Sequence, residues 1–212
     1  LLVCDDLPKS ILDAIDICKK PLRPVLPLKR NTPYRVDELY FLSDLSQIID
    51  SYDRAPSLGS AYMPAKQVRR MVERISESVD VPSSRRRRLY IKRGSSQRSL
   101  SNEQEVMDAL IERGFEVLDL NDLSFRSQVN LFKDAVTIVG PTGAVFTNLL
   151  WCEPKTNVVI LYPKHPFSNT AVWRRIALIN DLNVGFVFGR RKGKIRATHA
   201  PHDDYEINPS HL

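Results

Sequence analysis

Cysteine is scarce in this sequence, and its three positions form no recognisable framework. Cys4, Cys18 and Cys152 are far apart and odd in number, so we expect neither a disulfide scaffold nor a cysteine-based zinc site. Unpaired cysteines are typical of a reducing compartment. Cys152 follows a tryptophan on an apolar helical stretch, which favours a place in the core over a catalytic role.

Long apolar runs are also missing. No stretch reaches the length needed to span a membrane, and no secretory signal peptide is recognisable. The chain begins at Leu1 rather than at a methionine, and its first four residues have the pattern of a buried strand. We therefore expect a piece of a longer polypeptide, and we expect a cytoplasmic location.

Metal ligands do not follow any usual pattern. Asp203 and Asp204 lie near His199 and His202, but the spacing fits none of the common zinc sites. We expect this part of the chain to be an irregular, solvated tail, and we expect neither a metal nor a cofactor. No nucleophile and base stand at a spacing typical of covalent catalysis, so no catalytic residue is assigned.

Acidic residues are outnumbered by basic ones, 25 against 31, which gives a net charge of +6. This balance favours an anionic partner, whether a nucleotide, a nucleic acid or an anionic lipid. The run Arg85–Arg88 has no interleaved aromatic residues, and no RNA-binding or helix-turn-helix pattern accompanies it. We interpret it as a solvated edge or an interdomain rim, so no nucleic-acid partner is expected.

Strand and helix patterns alternate from Leu89 to Phe188. Such alternation predicts βαβ units, right-handed crossovers and a parallel sheet covered by helices on both faces. The composition shifts near Met63, which divides the chain into residues 1–62 and a Rossmann-like α/β domain over residues 63–212. Two local predictions accompany this division: a strand over Val36–Leu42, and a capping box from Ser101 with a glutamine three residues later.

One strand-to-helix turn organises the domain. The β-branched run Val136–Val139 predicts a buried strand, Gly140-Pro141-Thr142-Gly143 breaks it, and Ala144–Trp151 continues as a helix. Thr142 suits the N-cap of that helix. Free backbone amides and a positive helix end make such a turn an anion site. The alternative is a turn that holds nothing, which is common in α/β domains.

Two arginines follow the strand at Leu89–Ile91. Parallel strands end at one sheet edge, so Arg93 and Arg98 are expected near the Gly140 turn, where a guanidinium can grip a phosphate bidentately. The alternative for each is a solvated loop arginine.

The order of these features along the chain is similar to that of a known family. The chain first has an arginine after a strand and then a polar pair that opens a helix. A capped helix that carries a glutamine follows, and the glycine turn continues as Thr-Asn-Leu-Leu. The residues that carry this order are Arg93, Arg98, Asn102-Glu103, Gly114-Phe115, Ser124, Gln128, Leu131-Phe132, Ala135, Gly140–Ala144 and Thr147–Leu150. Together they resemble glycosyltransferase family 61 over about residues 89–163. Two departures are Thr142, where many members carry His, and Ser127, where members often carry Glu.

The resemblance implies a GT-B arrangement, in which two Rossmann-like domains face a cleft. Residues 63–212 would then be the C-terminal, nucleotide-sugar-binding domain, and residues 1–62 the later part of the N-terminal, acceptor-side domain. It implies an inverting sugar transfer from a nucleotide diphosphate-sugar to a glycan acceptor hydroxyl, as in polysaccharide biosynthesis. It also implies that no metal is needed, because protein cations and helix dipoles stabilise the leaving diphosphate.

Site residues are carried over as hypotheses. Arg93, with the three backbone amides of Thr142, Gly143 and Ala144, holds the donor diphosphate, and Arg98, Gly140 and Pro141 are further candidates for substrate contacts. Asn102 and Glu103 contact the ribose or a phosphate, and Thr147 and Asn148 orient the turn or touch the nucleotide. Asn148 and Gln128 have an equal alternative as structural residues. For the whole chain, the alternative is a non-catalytic nucleotide- or glycan-binding module that has kept the fold.

Overall fold

The computed structural model describes residues 2–19, 23–40, 46–49, 55–79, 86–93, 98–192 and 203–212. The strands are β1 Leu2–Cys4, β2 Leu26–Leu28, β3 Gln47–Ile48, β4 Ala61–Tyr62, β5 Arg87–Ile91, β6 Glu116–Leu118, β7 Ala135–Pro141, β8 Asn157–Pro163, β9 Asn183–Lys192 and β10 Asp204–Glu206. The α-helices are α1 Lys9–Cys18, α2 Ala65–Ser78, α3 Glu103–Ile111, α4 Phe125–Asp134 and α5 Ala171–Asn180, and 3₁₀ helices cover Leu58–Ser60, Ala144–Trp151 and Pro209–His211. Among these residues, no helix has the length and apolar composition that crossing a membrane requires.

A six-stranded sheet in the order β10-β9-β8-β7-β5-β6 forms the centre of the molecule. Its five strands β5 to β9 are parallel, and β10 is an antiparallel edge strand. The chain runs outward from β5 to β6, crosses back over β5 to β7, and continues outward to β8 and β9. This order confirms the predicted Rossmann-like α/β fold.

The two faces of the sheet follow from strand alternation. In β5, Leu89 and Ile91 pack in the larger core with α2, α4, α5 and the helix Ala144–Trp151, whereas Tyr90 points into the smaller core. The smaller core is completed by Val106 of α3 and by Tyr205 of β10. Successive side chains of a strand point to opposite faces, so apolar strands such as these must be covered on both sides.

The helix ends are set by local residues and, in one case, by a distant contact. Ser124 caps α4, since its hydroxyl accepts a hydrogen bond from the Ser127 amide at 3.1 Å. Gly114 ends the α3 region with a φ of +77°, a conformation that glycine adopts without steric cost. The predicted capping box is wrong, because the Ser101 hydroxyl donates to the Tyr205 carbonyl instead and α3 begins at Glu103.

The residues before Met63 form small, largely exposed elements. β1 and β2 pair in parallel, and Leu2 is 41% exposed, so the prediction of a buried first strand is wrong. No strand occurs over residues 36–40, which contradicts the strand predicted there; residues 41 and 42 lie outside the described part. α1 packs against α2 and α4, and β4 packs against α5. The division at residue 63 stays a prediction.

Candidate functional site

The carboxyl ends of β5 and β7 meet where the strand order reverses. After β5 the chain turns towards β6, and after β7 it turns towards β8, so the two connections diverge. Open α/β sheets bind their ligands in the crevice left at such a switch point. Arg93 follows β5, and Gly140–Gly143 lie at the end of β7, so the structure brings these two predicted features together.

The two glycines of the turn make this close approach possible. A Cβ at Gly140 would lie 2.6 Å from the Ile91 carbonyl oxygen, which is closer than real Cβ atoms come. A Cβ at Gly143 would lie 3.0 Å from Nη1 of Arg93. The φ of Gly143 is 178°, an extended value open to any residue. Space for the Arg93 guanidinium, rather than backbone conformation, therefore explains glycine at position 143.

Arg93 presents an unsatisfied guanidinium to the turn. Its Nε and Nη1 are buried and have no hydrogen-bond partner within the described residues. Burial lowers the pKa of Arg93, and the positive charge of Arg98 lowers it further. Buried polar groups are nearly always paired, so a charged group left unpaired here indicates a site built for an anion.

Arg98 strengthens this indication. Its Nε is also buried without a partner among the residues that the structure describes. Its backbone has a φ of 57°, in the left-handed region that non-glycine residues rarely occupy. Two guanidiniums near enough to influence each other repel, and an anion placed between them would offset that repulsion.

The turn itself differs from its prediction in one respect. Thr142 is not an N-cap, because β7 extends through Pro141 and the Thr142 amide continues the ladder by donating to the Leu161 carbonyl at 2.9 Å. The following helix begins at Ala144, and it is 3₁₀ rather than α. The amides of Gly143 and Ala144 make no backbone hydrogen bond within the described residues. These two amides, rather than three, are therefore available to an anion.

Gln128 and Asn148 are bonded inside the protein. The Asn148 amide nitrogen donates to Oε1 of Gln128 at 3.0 Å, and its Oδ1 accepts from the indole nitrogen of Trp151 at 3.0 Å. The Thr147 hydroxyl donates to the Ala144 carbonyl at 2.7 Å. Nε2 of Gln128 donates to two carbonyls in the loop before α4, those of Leu120 and Leu123. These contacts favour the structural alternative for Gln128 and Asn148.

Asn102 and Glu103 also have internal partners. Asn102 binds the Ile207 backbone twice, since Oδ1 accepts from its amide at 3.1 Å and Nδ2 donates to its carbonyl at 2.8 Å. Glu103 accepts a hydrogen bond from the Tyr90 hydroxyl at 3.0 Å. Burial and the Glu103 charge raise the pKa of Tyr90, so the phenol stays protonated and remains a donor. The N-terminus of α3 is thus held by hydrogen bonds to the Ile207 backbone and to the Tyr90 hydroxyl.

The sequence interpretation missed β10. Asp203 and Asp204 were expected in an irregular, solvated tail, and that expectation is wrong, because β9 continues to Lys192 and pairs with β10. Asp203 is buried and forms an ion pair with Arg191 at 3.2 Å. His199 and His202 lie outside the described residues. The alternation of apolar and polar residues in Tyr205-Glu206-Ile207 is a strand pattern that could have predicted β10.

A cleft of about 690 Å³ opens beside Asn102. Its walls come from the first turn of α3, the residue after β8, the end of β9 and the residues around β10; they include Asn102, Glu105, Lys164, Phe188, Arg190 and Glu206. Small-molecule sites commonly measure ~300–1,000 Å³. The cleft therefore has the size of a ligand site, and its walls include both basic and acidic side chains.

The family described as Glycosyltransferase 61 matches residues 21–159, about two thirds of the chain. The match includes Arg93 and the Gly140–Gly143 turn, and it ends before α5, β9 and β10. No curated protein matches the chain significantly.

Proposed function

The chain belongs to glycosyltransferase family 61, and we propose that it transfers a sugar from a nucleotide-sugar donor to a hydroxyl of a glycan acceptor. The observation that carries the donor class is the Arg93 guanidinium: its buried Nε and Nη1 have no partner among the described residues, and Nη1 lies beside Gly143. A diphosphate supplies the paired, negatively charged oxygens that such a group binds best.

In this proposal the protein acts mainly on the leaving group. An acceptor hydroxyl oxygen attacks the anomeric carbon as the bond from that carbon to the diphosphate oxygen breaks. The diphosphate leaves with the bonding electrons, a general base takes the hydroxyl proton, and the anomeric configuration inverts. Arg93, Arg98 and the amides of Gly143 and Ala144 stabilise the charge that develops on the diphosphate. We propose that these groups suffice without a metal.

The position of the site supports this assignment. Arg93 and the turn lie at the switch point of a Rossmann-like sheet, where nucleotides bind in other α/β folds. We propose that this sheet is the donor domain of a GT-B arrangement and that the acceptor and the general base come from the other domain. Polysaccharide biosynthesis is the proposed setting.

A ligand panel tests the donor class. The melting temperature is measured with UDP, GDP, CMP and their sugar conjugates, first without metal and then with magnesium or manganese. A ligand that binds only the folded state raises the melting temperature. We expect a metal-independent rise with one nucleoside diphosphate and its loss in Arg93→Ala.

A matched control separates the site from general charge effects. Arg88 lies in β5, the strand that Arg93 follows; it is exposed and donates to the Arg113 carbonyl at 3.0 Å. Arg88→Ala should leave the nucleotide-induced rise unchanged. If Arg93→Ala stays folded and responds to nucleotide as the wild type does, the diphosphate assignment is wrong. Binding without release of nucleotide in the presence of acceptors would favour the non-catalytic binding module.

A further inference from the structure

The last strand of the sheet is held on one side by the end of β9. β10 pairs with the end of β9 in the register Asp204 to Lys192, Tyr205 to Arg191 and Glu206 to Arg190. The approach is tight, since a Cβ at Gly189 would lie 2.2 Å from the Glu206 carbonyl oxygen. Any side chain at position 189 would therefore displace the strand.

The other side of β10 holds the loop that carries Arg98. The Tyr205 amide donates to the Ser99 carbonyl at 3.0 Å, and the Tyr205 carbonyl accepts from the Ser101 amide at 2.7 Å. The Ser99 amide donates to Oδ1 of Asp204 at 2.7 Å. These bonds hold the residues directly after Arg98, whose left-handed backbone conformation persists only where neighbouring structure enforces it.

The Tyr205 side chain reaches the other half of the site. Its ring is fully buried, and its hydroxyl donates to the Leu161 carbonyl at 2.9 Å. The same carbonyl accepts the Thr142 amide at 2.9 Å. Tyr205 therefore shares one acceptor with the glycine turn, and its backbone fixes the arginine loop.

We infer that Tyr205 is a positioning residue for the donor site: its backbone fixes the Arg98 loop, and its hydroxyl fixes the turn that faces Arg93. This inference rests on the proposed function, and it assigns a role to a residue beyond the 21–159 range of the family match. Tyr205 acts through Arg98 and the turn and does not itself touch the donor. Its phenol stays protonated, because burial raises its pKa more than the charges of Arg93 and Arg98 lower it.

The first variant is Tyr205→Phe, which removes one hydroxyl and keeps the buried ring. The dissociation constant of the nucleoside diphosphate selected by the ligand panel is measured by calorimetry. We expect it to rise roughly three- to tenfold, the usual effect of one lost hydrogen bond. Hydrogen exchange at the Thr142 amide should accelerate, since the Leu161 carbonyl loses one of the two donors that hold it.

The matched control is Thr156→Val, which removes a buried hydroxyl at the opposite end of β8. Thr156 donates to the Ala135 and Glu153 carbonyls, so the variant should lower the unfolding midpoint. A purely structural role predicts that both variants lose stability and that neither changes the nucleotide dissociation constant. The positioning role predicts a change in Tyr205→Phe alone.

A second variant reaches the same segment without altering Tyr205. Gly189→Ala should displace β10 and weaken nucleotide binding in the folded fraction. If the wild type binds nucleotide, Arg93→Ala abolishes that binding, and Tyr205→Phe and Gly189→Ala bind as tightly as the wild type, the positioning role is overturned while the donor site stands. If the wild type binds no nucleotide diphosphate, the proposed function fails first.

Discussion

Replacing Arg93 with methionine is expected to stabilise the free protein and to weaken nucleotide binding. Methionine keeps an unbranched apolar stem of similar reach but removes Nε and Nη1, the two buried nitrogens without a partner among the described residues. Replacing a residue that binds a ligand but destabilises the free protein raises the stability and lowers the affinity for the ligand. A solvated loop arginine, the alternative for this position, would give neither.

The magnitude follows from the cost of unpaired polar groups. Leaving a buried donor without a partner costs about 1–3 kcal/mol. Arg93 as a whole is only half-buried, so we expect the lower part of this range, about 1–2 kcal/mol, to be recovered in Arg93→Met. For a chain of this length that corresponds to a rise of roughly 2–8 °C in melting temperature. Loss of charge-assisted bonds to phosphate should weaken nucleotide binding roughly 10- to 100-fold.

The assay compares melting curves of both proteins with and without the nucleoside diphosphate. Without nucleotide, Arg93→Met should melt higher than the wild type. At a nucleotide concentration near 100 times the wild-type dissociation constant, the wild type gains about 2.7 kcal/mol and the variant only about 0.4–1.4 kcal/mol. The melting temperature of the wild type should therefore rise more, and the advantage of the variant should shrink or disappear. Arg88→Met, the control in β5, should show neither the higher melting temperature nor the smaller response to nucleotide. A lower melting temperature for Arg93→Met without nucleotide would show that the guanidinium stabilises the free fold, and the argument from its unpaired nitrogens would fail.

The glycines of the turn give two further predictions. Gly140→Ala places a Cβ 2.6 Å from the Ile91 carbonyl oxygen, and we expect it to destabilise the protein by about 1–3 kcal/mol in urea unfolding; Gly185→Ala, where the nearest atom is 3.9 Å away, should stay within about 0.5 kcal/mol. Gly143→Ala should keep its stability, because the extended backbone accepts alanine. Its Cβ would crowd Nη1 of Arg93, so nucleotide titration should show binding weakened roughly threefold or more; unchanged binding would contradict the proximity of Arg93 to the ligand.

The central sheet could be predicted because its strands carry their own evidence. Val136–Val139 and Asn157–Tyr162 are β-branched, apolar runs bounded by turn residues, and a strand buried on both faces needs such a run. The helices between them begin and end at local features, such as the Ser124 cap and Gly114. Each of these features acts within a few residues, so the sequence alone reveals it.

The local predictions that failed depend on contacts distant in sequence. The Ser101 hydroxyl does not form a capping box, because it donates a hydrogen bond to the Tyr205 carbonyl of β10 at 3.1 Å. Thr142 would suit an N-cap, but the Leu161 carbonyl extends the sheet ladder to its amide. In both cases a partner that is remote in sequence overrode a local preference, as tertiary contacts often do.

The candidate site also has features that could be predicted from the sequence and features that could not. That Arg93 and the glycine turn meet at one sheet edge could be predicted, because consecutive parallel strands place their carboxyl ends together. Two other features of the site could not be predicted, because they depend on how distant segments pack. These are the lack of partners at the Arg93 nitrogens and the bonds between Asn102 and Ile207. The spacing of residues therefore locates the site, and packing decides which members remain free for a ligand.

The surroundings of Arg93 explain why its guanidinium has no internal partner when no ligand is bound. An arginine with an internal carboxylate partner would be more stable, but the partner would compete with a diphosphate for the same nitrogens. Among the described residues, the ionisable groups that shift the pKa of Arg93 are Arg98 and the phenols of Tyr162 and Tyr205, and none of them is a carboxylate. Nε and Nη1 of Arg93 have no partner there. An anionic ligand would therefore meet no competing carboxylate at these two nitrogens.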